Sequence, residues 1–268
     1  MPLITRRNLL RTGIAAPLVM RPRRLLARTP SLGFPGGVAP GVNPNHPVAN
    51  NGILRFSGVS FNNGNFFNLL TSKVATRSGT VGTGMFWDGP GVISTNSTSF
   101  YKFTGQSTAT DSSVTVAAIW TPVVSSTNQN PFASFGTSSN GGFATGLDSS
   151  AKQFMIAYPG GSFVESSYTF TGVNVPIFIA ASSNASATKF VLRRLDNGEM
   201  FSSQTGGLTY TASSDATYQI GNGFGHLNGG HVCAAMYSSG FNGLGVLQQW
   251  ALDPWSFWYP PLVNQGAL

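Results

Sequence analysis

Eight carboxylates, three histidines and one cysteine are the side chains on which acid–base, nucleophilic or metal chemistry would rest. The acids are Asp88, Asp111, Asp148, Glu165, Asp196, Glu199, Asp215 and Asp253. Glycoside hydrolysis needs two carboxyl groups flanking one bond. On a strand, that calls for acids two residues apart, so that alternate side chains share a face. No such run occurs: the nearest pair, Asp196 and Glu199, flanks an Asn-Gly turn. His46, His226 and His231 have no metal-ligand spacing relative to one another or to an acid. His231 and Cys233 would share a strand face as a thiol–imidazole pair, but no third group orients them, so a core pair is expected. There is no Gly-x-Ser-x-Gly elbow. The glycine-rich run Gly221-Asn222-Gly223-Phe224-Gly225-His226 opens no helix and so lacks the N–H array that holds phosphate. The expectation is a protein that is not an enzyme and has no cofactor.

The element that would position these groups is the stretch from Gly229 to Pro260. After Gly229-Gly230, the period of two predicts a strand, with His231, Cys233 and Ala235 facing one way and Val232, Ala234 and Met236 the other. Asn242 is a good helix N-cap. Leu244, Leu247 and Ala251 recur at helical spacing, and Pro254 ends the helix. Trp250, Trp255, Phe257, Trp258 and Tyr259 follow within ten residues. They are expected to close the fold by packing on a sheet; the alternative is a shelf on which a ligand stacks.

Composition bounds the rest. The chain has 268 residues, 33 glycines and 20 phenylalanines, and only 9% of it is charged. Ser, Thr, Asn and Gly form the surface, which suits an all-β protein outside the cell or in a protein shell. The formal charge of +7 belongs to one end. Residues 1–28 hold Arg6, Arg7, Arg11, Arg21, Arg23, Arg24 and Arg28 and no acid; removing these seven from the 15 basic residues leaves eight against eight acids. A basic partner surface is therefore an argument about the arm alone. Cys233 has no partner for an intrachain disulfide and is expected as a small buried hydrophobe.

Two readings of the arm stay open. Thr5-Arg6-Arg7-Asn8-Leu9-Leu10-Arg11 resembles a twin-arginine export signal, followed by an apolar run, Thr12 to Met20, too short to span a bilayer. Arg21, Arg23, Arg24 and Arg28 follow that run at once, where export signals avoid positive charge. The other reading is a basic docking arm that binds acidic protein or another anionic surface by charge. It contains no nucleic-acid-binding module, so no specific nucleic acid is expected. Residues 29–51, with five prolines and four glycines, read as an extended linker without helix or central strand.

From residue 52 the chain reads as strands at short, regular spacing. Ile53, Leu54 and Phe56 begin the series. Gly84 to Thr95 folds around an Asp-Gly-Pro turn, in which Asp88 is a turn former. Val114 to Thr121 has apolar residues on both faces and belongs deep in a sandwich. Further strands are expected at 131–135, 142–147, 153–158, 167–170, 177–181, 189–195, 200–204 and 218–221. Asp196-Asn197-Gly198 predicts a type I′ hairpin turn. No long helical pattern intervenes, so the architecture is a β-sandwich or barrel.

Several of these stretches carry a resemblance. Asn43-Pro44-Asn45-His46-Pro47 before the first strand, Val114 to Thr121, the Asp196-Asn197-Gly198 hairpin, Tyr218-Gln219-Ile220-Gly221, and the closing helix with Asp253-Pro254-Trp255 resemble the laminin-G-like domains of phage and bacterial proteins. The likeness covers about residues 43–260. In those chains the helix starts with Ser and carries Glu; here Asn242 or Gly243 and Gln248 stand in these places. The resemblance implies the concanavalin A-like jelly-roll β-sandwich; with the short C-terminal helix and the extended N-terminal arm read from the residues above, it completes the expected fold. Such domains sometimes bind calcium through loop carboxylates; Asp111 and Asp148 fall in expected loops, but a hard ion wants several oxygens together. Jelly-roll lectins use rim-loop Asn and aromatic residues, and Asn222, Phe224, His226 and Asn228 form the one loop with that mix. The plain alternative there is a polar hairpin loop.

The expected organisation is an arm at 1–28, a linker at 29–51 and a sandwich at 52–268. The expected function is a non-enzymatic structural or attachment protein, as a phage virion component (capsid decoration or fibre) docked by its arm to other virion proteins. The alternative is an exported bacterial surface protein with a carbohydrate-binding domain, its arm removed on export. A homo-oligomer is expected, since a neutral polar surface tolerates subunit contacts.

Overall fold

A computed structural model describes residues 41–60, 66–79, 81–86, 89–94, 100–104, 111–122, 128–134, 142–158, 162–172, 174–209, 217–221 and 231–258. The arm and most of the proline-rich stretch lie outside this set. Within it the chain forms β1 (Leu54–Ser60), β2 (Phe66–Asn68), β3 (Lys73–Val74), β4 (Thr76–Ser78), β5 (Val81–Phe86), β6 (Gly89–Ser94), β7 (Phe100–Thr104), β8 (Ser113–Thr121) and β9 (Gln129–Ala133). It continues with β10 (Gly142–Leu147), β11 (Lys152–Tyr158), β12 (Ser162–Thr169), β13 (Ile177–Asn184), β14 (Ala187–Arg194), β15 (Met200–Gly206), β16 (Thr217–Ile220) and β17 (His231–Ser238). Two short α-helices, α1 (Pro47–Asn50) and α2 (Leu244–Leu252), and a 3-10 turn over Pro254–Phe257 complete it.

The strands form a sandwich of two antiparallel sheets. The first runs β15-β14-β13-β8-β17-β1-β2-β3, with β6 also beside β17 and β5 beside β6. The second runs β12-β11-β10-β9-β16-β7-β4. β8 is central, as its two apolar faces predict. Val114, Val116, Ala118 and Trp120 point between the sheets, while Ala117 and Ile119 point to the outer side. The inter-sheet core is rich in aromatics: Phe56 stacks on Tyr218 at 5.3 Å and Phe143 on Tyr237 at 5.0 Å. Offset stacking at such distances adds to simple burial. The short strands β2, β3 and β4, and the five-residue β7, are absent from the sequence reading; too few residues alternate in them to give a signal.

Bulges in β17 and β1 reset the alternation. Val232 pairs with Trp120 and Ala234 with Ile119, so Cys233 is the extra residue. Val232, Ala235 and Tyr237 therefore enter the inter-sheet core, and Cys233, Ala234 and Met236 enter the outer layer. This corrects the simple alternation expected for His231 to Met236. Cys233 is buried, as expected of a small hydrophobe; the side chain of His231 lies outside the description. In β1, Leu54 pairs with Ser238 and Phe56 with Tyr237, which leaves Arg55 as the extra residue.

The outer face of the first sheet is covered by residues 42–49 and 244–258. Leu247, Trp250, Ala251, Trp255, Phe257 and Trp258 of the C-terminal segment pack there on Ala117, Ile119, Phe178, Ala180 and Val191. The tryptophan-rich segment is thus a closing layer, with Trp250 and Trp258 at 2% and 0% exposure. Among the described residues, Trp250, Trp255, Phe257 and Trp258 are all buried in this layer and form no open shelf; Tyr259 lies outside the described residues. From Asn43 onward the proline-rich stretch belongs to the same layer, and Pro47–Asn50 is a single helical turn. The expectation of an extended, helix-free linker to residue 51 is corrected there: Pro47 sits at the first helical position, where its missing N–H costs nothing.

Asn242 does not cap α2. The cap position is Gly243, which makes no side-chain bond. The Asn242 amide instead donates to Thr115 Oγ1 at 2.9 Å, its Oδ1 accepts from Asn51 Nδ2 at 3.0 Å, and its backbone N–H donates to Ser182 Oγ at 2.8 Å. The side chain is buried and serves the sheet, not the helix. At the other end of α2, Arg193 of β14 donates from Nη1 to the carbonyls of Ala251 and Leu252, both at 2.6 Å. A cation at these orphan carbonyls also meets the negative end of the helix dipole. The close approach of Asn51 to the 239–242 link explains Gly240, where a Cβ would stand 1.4 Å from the Asn51 carbonyl oxygen.

The hairpin over 195–198 is present, but its turn is not type I′. Only Gly198 has positive φ, at 81°. Gly198 N–H donates to the Arg194 carbonyl at 3.1 Å and Asn197 Oδ1 accepts from Glu199 N–H at 2.9 Å, so a four-residue loop replaces the two-residue one. The turn between β10 and β11 places Ala151 at φ 57°. A Cβ in the left-handed region is strained, and glycine relieves it. Ala151→Gly is expected to stabilise the protein by about 0.5–1 kcal/mol, read as a rise in the urea midpoint; a fall would show that the turn is held by something other than its backbone angles.

Candidate functional site

The described carboxylates are dispersed, and Asp111, Asp148, Glu165, Asp196 and Glu199 are engaged. Asp111, just before β8, faces Arg55: Arg55 Nη2 donates to its Oδ1 at 2.6 Å and Nε to its Oδ2 at 3.4 Å. Tyr237 OH donates to the same Oδ2 at 2.7 Å. The bulge in β1 supplies Arg55, while β17, its pairing partner, supplies Tyr237. The carboxylate is 1% exposed and the guanidinium side chain 11%. The hydrogen bond to Asp111 raises the Arg55 pKa further, and burial with the nearby Asp111 charge pushes the Tyr218 hydroxyl up. All of this keeps one arginine charged, one carboxylate paired and the Tyr218 phenol neutral. It is the arrangement of a buried structural ion pair.

Asp148 ends β10 and closes a turn. Its Oδ1 accepts from the backbone N–H of Ser150 and of Lys152, both at 2.8 Å. Glu165 on β12 pairs with Lys152 at 3.2 Å. Asp196 and Glu199 both meet Arg194, at 2.7 and 3.8 Å, on the exposed hairpin. The Arg194 hydrogen bond holds Asp196 below the usual carboxylate range. Asp253 joins α2 to the 3-10 turn and is exposed. Asp88 and Asp215 lie outside the described residues.

Asp111 and Asp148, the two acids considered for calcium, are not brought together: one is bound to an arginine, the other to its own turn. Among the described residues no group of three or more His, Cys, Asp or Glu side chains could hold a metal. Nor is any described helix long and apolar enough to cross a membrane. The rim-loop residues Asn222, Phe224, His226 and Asn228 lie outside the described residues, as do Arg6, Arg7, Arg11, Arg21, Arg23 and Arg24.

A second polar cluster went unread in the sequence. Gln153 of β11 reaches across the sandwich, donating from Nε2 to the Ala180 carbonyl of β13 at 3.0 Å and accepting from Tyr168 OH. Burial raises the Tyr168 pKa well above its ordinary value. Gln153 is fully buried, and nothing in its local sequence marks it, because its partner strand is far along the chain.

No protein-family model matches the chain. No curated protein matches it by sequence. Solved structures do share its sandwich. Domain 4 of AbnA, a GH43 extracellular arabinanase from Geobacillus stearothermophilus, solved in complex with arabinotriose, superposes with a TM-score of 0.54 at 12% identity, over 75% of this chain and 99% of that one. Botulinum neurotoxin type C, in a structure describing cell entry dependent on two ganglioside molecules, superposes with a TM-score of 0.51 at 12% identity, over 75% of this chain and 51% of that one. At such identities the likeness is one of fold: the chain is an all-β protein with the two-sheet jelly-roll type of sandwich.

Proposed function

We propose that this chain is a non-catalytic attachment protein: a laminin-G-like sandwich displayed outward on a phage virion, as decoration or fibre, and docked by its arginine-rich N-terminal arm. One observation carries the non-catalytic part. Asp111, Asp148, Glu165, Asp196 and Glu199 are each engaged by a cation or by backbone N–H groups, and they sit at separate places in the fold. Hydrolysis by paired carboxyl groups needs two acids facing one cleft. The uncharged polar surface and the concentration of charge in residues 1–28 support display and docking. Mass spectrometry of the natural protein tests the arm: Met1 or Pro2 at its terminus fits a retained docking arm, and a start near residue 28 refutes it in favour of export. The homo-oligomer is tested by light scattering of the full chain.

The second reading is a surface protein that binds glycan, and the sugar-bound arabinanase domain of the same fold favours it. The loop with Asn222, Phe224, His226 and Asn228 is the proposed site. An oligosaccharide array on the full chain, with Phe224→Ala beside it, decides. Binding lost in the variant supports this site; binding unchanged in the variant assigns it elsewhere.

A further inference from the structure

The segment before β1 and the segment after α2 are joined along a seam. Gly41 N–H donates to the Trp258 carbonyl at 3.2 Å and Asn43 N–H to that of Phe257 at 2.8 Å. Asn43 Nδ2 donates to the Ser256 carbonyl at 3.0 Å. His46 stands within this seam, 6% exposed. Its Nδ1 accepts from Val48 N–H at 3.3 Å, capping α1. Its ring meets Trp250 at 5.0 Å and Phe257 at 5.3 Å, both edge-on. The bond fixes the tautomer: Nδ1 must be unprotonated to accept. A proton there turns the acceptor into a donor facing a donor. It also places a charge among two aromatic rings, away from water.

We propose that His46 is an acid-sensitive latch, whose protonation releases residues 41–50 from the layer formed by α2 and the 3-10 turn. The charges nearby do not oppose this. Apart from His46, residues 41–50, α2 and the 3-10 turn carry no titratable side chain. Asp253, at the junction of α2 and the 3-10 turn, is exposed; its charge only partly offsets the burial that lowers the pKa of Arg193, whose guanidinium holds the end of α2. Neither contributes to the shift at His46, which burial alone lowers to about 4. A histidine lowered in the folded state gives its full stabilisation above about 6.5, the ordinary value, and loses it as the pH falls toward 4. The window of release is therefore the mildly acidic range.

Hydrogen exchange of the full chain at pH 7 and pH 5 tests this, with rates corrected for intrinsic exchange and normalised to β13 and β14. Opening of residues 41–50 is expected to rise on the order of 10-fold or more at pH 5. In His46→Asn, which keeps a capping oxygen and cannot titrate, it is expected to stay within about twofold. Equal acid opening in both proteins, or none in the natural one, sinks the latch. Should the variant not fold, an NMR titration of the natural protein decides. An imidazole midpoint below pH 5 that moves together with the Val48 amide supports the proposal; a higher midpoint, or a Val48 amide that ignores it, overturns it.

Discussion

Trp250→Ala is expected to lower stability by roughly 3–5 kcal/mol, the range for truncating a large buried aromatic. Trp250 is the hub of the closing layer. It touches Phe178 of the sheet at 5.0 Å, Phe257 at 5.3 Å, Trp258 at 5.8 Å and His46 at 5.0 Å. Its Nε1 donates to the Pro254 carbonyl at 3.0 Å, which fixes the 3-10 turn against the helix. α2 has nine residues, too few to persist alone in water. Removing the indole therefore costs more than a cavity: it removes what holds the helix to the sheet. Urea unfolding should show the lowered midpoint, and hydrogen exchange should show residues 244–258 losing protection before β8 and β13 do. A loss below about 1 kcal/mol, with no preferential exchange there, would mean that the layer is an ornament on a sandwich stable without it.

The second large effect is expected at Asp111. Asp111→Ala leaves the Arg55 guanidinium buried without its carboxylate and takes the acceptor from Tyr237 OH. Breaking a buried pair by removing one partner costs about 3–5 kcal/mol, because the remaining charge loses its counter-charge. Arg55 retains slight access to water, at 11% side-chain exposure, which argues for the lower end. The double change Arg55→Met with Asp111→Leu discriminates. If the pair is structural, the double variant should be more stable than Asp111→Ala, since no buried charge is left over. A double variant as unstable as the single one would show that the ion pair itself, beyond its charge balance, sets the register of β1 on β17.

Much of the sandwich is readable from residue order alone. Val114 to Thr121 announces a strand buried on both faces because its alternate positions are apolar on both sides, and β8 is central. Gly142–Leu147 is found at the expected bounds. Pro254 ends α2 for a local steric reason, and the tryptophan cluster is buried as its apolar bulk demands. The candidate site is less readable. Asp111 has the chemistry of a loop ligand, but its partner Arg55 lies 56 residues away and enters only because a bulge turns it inward. Asn242 has the chemistry of a helix cap, yet Thr115 and Asn51, 127 and 191 residues distant, claim its side chain.

The sequence by itself determined the two-layer β architecture, the closing helix and the concentration of basic charge in residues 1–28. These follow from period, proline and charge, which act over a few residues. Tertiary structure alone decided which polar groups meet. Bulges at Arg55 and Cys233 redirect side chains, Arg193 caps a helix it does not belong to, and His46 is seated between two rings from the far end of the chain. A strand offers its side chains to two faces, and which face is inward and what waits there depend on pairing register, which is a property of the assembled sheets.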